Sequence, residues 1–145
     1  MIVDASVILM AFLTDEEGHL EARALIHAHS AGAVHLDAPD LLRHEITNTL
    51  IKAVRRQRLS KETAQEILDI FESLDISSHA VSISDSFKLA DRYGRSAYDT
   101  AFLALAEALD TELITGDRRF YNAVHPQVKR VVWIGDYQSP VAPTP

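Results

Sequence analysis

Five short runs with strand character, Met1–Val3, Ala33–Leu36, His79–Ile83, Glu112–Thr115 and Arg130–Ile134, are separated by stretches with helical signatures. This alternation is the strongest constraint on the fold. Strands joined through helices cannot pair as hairpins; they need crossover connections, which set the strands parallel and lay helices on the sheet. The expected class is α/β, a three-layer α/β/α arrangement around a central parallel sheet of about four to five strands.

The helical stretches carry their own signals. Gly18–Ala31 follows Thr14-Asp15-Glu16-Glu17, a match to a capping box. Pro39 opens a long helix to about Leu59, and Ser60 caps another to about Leu74. Further helices are expected over Ser86–Tyr93, Ser96–Leu109 and Arg118–Val124. Within the long helix Leu42, Ile46, Thr49, Leu50 and Ala53 recur at a helical period and form its core stripe.

With 145 residues, 47% of them apolar, the chain can bury one core, and a single domain over residues 1–136 is expected. Residues 137–145 end in SPVAPTP and should fray. The absence of cysteine excludes disulfides, thiolate zinc sites and a cysteine nucleophile. The chain opens without a basic leader, and no apolar run approaches the ~18 residues needed to span a bilayer, so a soluble, cytoplasmic protein without a membrane partner is expected. The net charge of -7 weighs against a polyanion partner unless the negative charge is concentrated in one place.

Ligands of open parallel sheets bind beyond the carboxyl ends of the strands. Asp4 ends the first run and Asp117 follows Leu113-Ile114-Thr115-Gly116, so both reach the same rim. Either could instead cap the helix that follows it. Glu45 lies beside the core stripe, at the margin of the buried face, where a glutamate can also simply extend its stem over apolar neighbours. Asp99 sits in the first turn of an apolar helix, in Ser96-Ala97-Tyr98-Asp99, itself a capping-box match.

Taken in order, Asp4-Ala5-Ser6, Glu45 with Asn48 and Leu50, Tyr98-Asp99 with Phe102, and Thr115-Gly116-Asp117 with Phe120 resemble the PIN-domain family. More narrowly, the chain is similar to the VapC-type ribonuclease toxins of toxin–antitoxin pairs, over Met1 to about Asp136. The resemblance implies that Asp4, Glu45, Asp99 and Asp117 converge as a catalytic, metal-holding set. An all-oxygen set suits Mg2+ or Mn2+. The implied activity is metal-dependent RNA cleavage, with an antitoxin protein and a second copy of the chain as partners. Ser6 and Thr115 are candidates for orienting the carboxylates, with capping and strand packing as their alternative.

Lys52, Arg55 and Arg56, with Arg58 beside them, form a basic run on the helix of Glu45, and Arg118 and Arg119 follow Asp117; these could hold flanking RNA phosphates. Histidines form no metal-binding pair: His27 and His29 are two apart, and His44 points away from Glu45. No glycine-rich phosphate loop follows the first strand. A phosphoacceptor receiver domain would want a second acid beside Asp4, where Val3 and Ala5 stand. A catalytically silent binding module would have no need of four acids. Ile51, Val54, Ile67, Ile70, Phe71 and Leu74 pack within a helical hairpin or, where exposed, form a partner surface.

Overall fold

The computed structural model describes residues 1–13 and 15–141. Five strands, β1 (Ile2–Val3), β2 (Asp37–Pro39), β3 (Ser77–His79), β4 (Leu113–Thr115) and β5 (Val131–Trp133), form one parallel sheet in the order β3-β2-β1-β4-β5. Seven helices join them: α1 (Ala5–Met10), α2 (His19–Ser30), α3 (Leu41–Arg55), α4 (Lys61–Ser73), α5 (Ile83–Tyr93), α6 (Ala97–Ala108) and α7 (Arg118–Val124). Ile134–Asp136 adds a 3-10 turn.

Successive strand residues face opposite sides of a sheet. Ile2 and Val3, and Leu113, Ile114 and Thr115, are all buried, so the central strands are covered on both faces. One cover is the α5–α6 hairpin, which reaches β1, β2 and β4 through α6. α6 is apolar nearly all round, with Phe102, Leu103, Ala104, Leu105 and Ala106 buried. α1 packs on β4, α2 and α3, while α3 also packs on β2 and α4. β1 is the switch point of the sheet, since the chain continues to β2 on one side and returns as β4 on the other.

The α/β class, the parallel sheet and most helices agree with the sequence expectations; the differences are local. The second strand lies at Asp37–Pro39 rather than Ala33–Leu36, and the third at Ser77–His79 rather than His79–Ile83. Both are held by backbone pairing and by polar side chains, His79 Nε2 meeting Asp37 Oδ1 at 2.8 Å, which apolar patterning does not register. Pro39 ends a strand, a position where its missing N–H costs nothing, and the helix begins at Leu41. That helix stops at Arg55, ahead of Gln57, whose φ of 59° lies in the left-handed region. Leu42, Ile46 and Leu50 are buried, Ala53 is half-buried, and Thr49 is exposed, so the core stripe is narrower than expected.

α2 is capped at Gly18, whose φ is 94°, without a side-chain cap. The expected capping box opens on Thr14, which lies outside the described residues. α5 starts at Ile83 because the Ser82 hydroxyl accepts the Asp85 amide. His29 touches the carbonyls of Val34 and Leu74, a structural role. Tyr137, expected in the tail, is half-buried against the core, and residues 142–145 lie outside the described set.

Leu103 is fully buried at the centre of this packing. Leu103→Ala should lower stability by about 2–5 kcal/mol in chemical denaturation, with an unchanged dependence on denaturant concentration.

Candidate active site

At the carboxyl rim of β1, Asp4 stands with extended backbone and caps α1, its Oδ1 accepting the Val7 amide at 3.2 Å. Ser6 donates its hydroxyl to the same oxygen, and Thr115 Oγ1 donates to Oδ2 at 2.5 Å. Each hydroxyl also accepts an amide from the rim of β4: Gly116 N–H reaches Ser6 Oγ at 2.8 Å, and Asp117 N–H reaches Thr115 Oγ1 at 3.0 Å. Two amide-to-hydroxyl-to-carboxylate relays therefore tie the neighbouring strand ends through Asp4. Asp117 in turn caps α7, its Oδ1 accepting Phe120 N–H at 2.9 Å. Both aspartates cap helices, as their local sequence allows, and both also face the cleft. Capping and site-building are compatible because a carboxylate offers about four lone-pair positions.

Gly116 makes this approach possible. A Cβ there would lie 2.7 Å from Met10 Cε and 3.0 Å from Ser6 Oγ, so a side chain would turn the Met10 thioether aside and crowd the Ser6 hydroxyl.

Asp4, Glu45, Asp99 and Asp117 line one cavity of about 120 Å3, together with Ala5, Ser6, Phe102, Leu113 and Phe120. The four acids singled out in the sequence are thus brought together by β1, α3, α6 and the end of β4. Burial raises the Asp4 carboxyl above the usual range; hydrogen bonds from Ser6, Thr115 and the Val7 amide oppose this, and the charge of Asp117 adds to it. Glu45 is pushed up to about 7, first by burial and then by repulsion from Asp4 and Asp99. Among the described residues no three acidic or imidazole groups already stand close enough together to hold an ion.

The basic residues distribute differently. Lys52, Arg55 and Arg56 are exposed on α3 and do not line the acidic cavity. Arg58 lines an adjoining groove with Ser6, Glu45 and Asn48. Arg118 is committed to Glu17 at 2.8 Å and lies over the Trp133 ring at 3.8 Å; Arg119 is exposed. Sequence reasoning missed Arg95, which stands 3.7 Å from Asp99. Its only sequence signal is the four-residue spacing to Asp99 across the start of α6.

The model of the PIN domain matches residues 1–125. The chain belongs to the PIN-domain family. Among relatives, Ribonuclease VapC3 of Pyrobaculum aerophilum is 33% identical over 82% of this chain and 90% of its own. Ribonuclease VapC9 of Mycobacterium tuberculosis is 34% identical over 82% of this chain and 87% of its own. The crystal structure of PAE2754 from Pyrobaculum aerophilum superposes with a TM-score of 0.69 at 20% identity, covering 92% of this chain and 89% of that one. That likeness shows that the two chains share a fold. Among the described residues no helix is long and apolar enough to cross a membrane.

Two outcomes follow for the PIN cleft. Thr115→Val leaves the Asp117 amide and one Asp4 oxygen without their partner, and should cost about 1–3 kcal/mol in chemical denaturation. The second concerns pH. The folded protein retains a proton on Glu45 between its ordinary value of 4.5 and about 7, where the unfolded chain has released it. The folded state thus binds more protons across this window, so this contribution to stability falls as pH rises through it. Chelator-treated protein should lose midpoint concentration in denaturant between about pH 5 and pH 8, and Glu45→Gln should flatten that part of the profile.

Proposed function

We propose that this PIN domain is a metal-dependent endoribonuclease and the toxin of a toxin–antitoxin pair. The convergence of Asp4, Glu45, Asp99 and Asp117 on one cavity carries the reading, and the ribonuclease names of its relatives support the substrate. The donor set is all oxygen, as hard cations require, and Mg2+ or Mn2+ would be held by these four carboxylates. When bound, the cation supplies Lewis-acid activation of water and charge stabilisation at the phosphate. Hydrolysis forms one bond from water oxygen to phosphorus, breaks one P–O bond and returns a proton to the leaving oxygen.

The protein's own residues set the geometry. Ser6 and Thr115 fix both oxygens of Asp4, so this carboxylate has no freedom to turn from the cleft. Phe102 and Phe120 wall the cavity with apolar surface and strengthen electrostatic interactions inside it. Arg58, in the adjoining groove, and the exposed Lys52, Arg55, Arg56 and Arg119 hold flanking phosphates, while Arg118 stays paired with Glu17.

A groove of about 260 Å3, with an apolar floor of Leu9, Leu13, Leu50, Leu59 and Ile67 and with Asp15, Thr49 and Arg58 also in its lining, is where the antitoxin docks in this reading. Ile67 and Phe71 are buried, and Val54 and Leu74 are packed on the core, so most of the hairpin's apolar face is internal. Ile51 and Ile70 remain exposed, at 41% and 46%, and suit contact with the antitoxin or with a second copy.

Asp4→Asn and Asp117→Asn should each lower cleavage of single-stranded RNA on the order of 100-fold or more, with circular dichroism unchanged. Chelator should abolish wild-type cleavage and added Mg2+ or Mn2+ restore it. Cleavage that persists at the wild-type rate in excess chelator, or in Asp4→Asn, overturns the proposal.

A further inference from the structure

Beside Asp99, outside the lining of the cavity, stands a full positive charge that the fold leaves incompletely used. Arg95 follows Gly94, whose φ of 60° ends α5, and precedes the Ser96 cap of α6. Its side chain is 15% exposed, with Nη2 3.7 Å from Asp99 Oδ2. The guanidinium lies 5.9 Å from the centre of the Phe120 ring, and its buried Nε has no hydrogen-bond partner among the described residues. Arginine does not shed its proton, so a permanent cation stands beside one of the four acids. A pair serving only to fasten the fold would close to ~2.8 Å with both donors engaged. This one is looser, and Asp99 already has the amino end of α6 to favour its charge.

We propose that Arg95 is the built-in counter-cation of the cleft, a positioning residue that holds Asp99 while the site is ion-free and competes with a divalent cation for it. The inference rests on the reading of Asp99 as a metal ligand. It adds that ion uptake proceeds by exchange: the Asp99 charge passes from the guanidinium to the incoming cation. Because Arg95 does not line the cavity, it acts through Asp99 and not on RNA.

The test uses the full chain without RNA, reading Mn2+ affinity by calorimetry and by the spin-resonance signal of free Mn2+. Arg95→Gln should bind Mn2+ roughly three- to tenfold more tightly and melt at lower temperature when ion-free. Arg95→Lys, which keeps the charge, should stay within about twofold of wild type. Arg95→Met, which keeps the apolar stem against Phe120, serves if Arg95→Gln does not fold, with the same expectation. Unchanged or weaker Mn2+ binding in the neutral variants, with only the melting temperature lowered, would make Arg95 a structural tie and overturn the proposal. Asp4→Asn separates the two levels: it should lose Mn2+ binding, and if it does not, the metal-site reading itself fails.

Discussion

Everything at the rim depends on the hydrogen bonding of the Asp4 carboxylate. β1 is two residues long, too short for its own pairing to locate a side chain with accuracy. Asp4 is instead fixed from three directions, by the α1 amide of Val7, by Ser6 from the same helix, and by Thr115 from the neighbouring strand. Because each hydroxyl is also an acceptor for a β4 amide, the polar groups satisfy one another while remaining largely out of water. A buried polar network of this kind is stable only when complete. Gly116 favours it, since a side chain there would crowd the end of Met10 and the Ser6 hydroxyl.

The remaining structure supplies what that joint cannot. An apolar α6 and the buried central strands give a rigid floor, and the switch in strand order at β1 opens the crevice above it. The price is electrostatic: four carboxylates in one cavity oppose each other, and burial makes this worse for Asp4 and Glu45. Against that repulsion the fold sets hydroxyl and amide donors on Asp4, a helix cap on Asp117, and the Arg95 guanidinium beside Asp99.

Residues whose role follows from position along a strand or helix were legible in the sequence. Asp4 and Asp117 end strands, which puts both on one rim once the sheet is parallel; Glu45, at the border of a helical stripe, and Asp99, at the start of an apolar helix, join them only through what the family resemblance implies. The α/β class and the family were legible for the same reason. β2 and β3 were displaced because Asp37-Ala38-Pro39 and Ser77-Ser78-His79 lack apolar alternation and owe their strand geometry to partners far along the chain. The early stop of α3 at a left-handed Gln57 has no glycine to announce it. Arg95 was passed over because a four-residue spacing to Asp99 is a weak signal and its burial beside Phe120 is set by remote residues, and Arg118 looked free because Glu17 and Trp133 are remote in sequence.

The position of β1 in the middle of the sheet has a bearing on how the chain is made. β1 leaves the ribosome ahead of both its neighbours and has two unpaired edges until residues 37–39 and 113–115 follow it. The cleft therefore needs residue 4 and residue 117 together, and any chain still short of β4 lacks the Thr115 bond, the Asp117 carboxylate and the Phe120 wall at once. Synthesis itself thus delays assembly of the site until Phe120 has been translated.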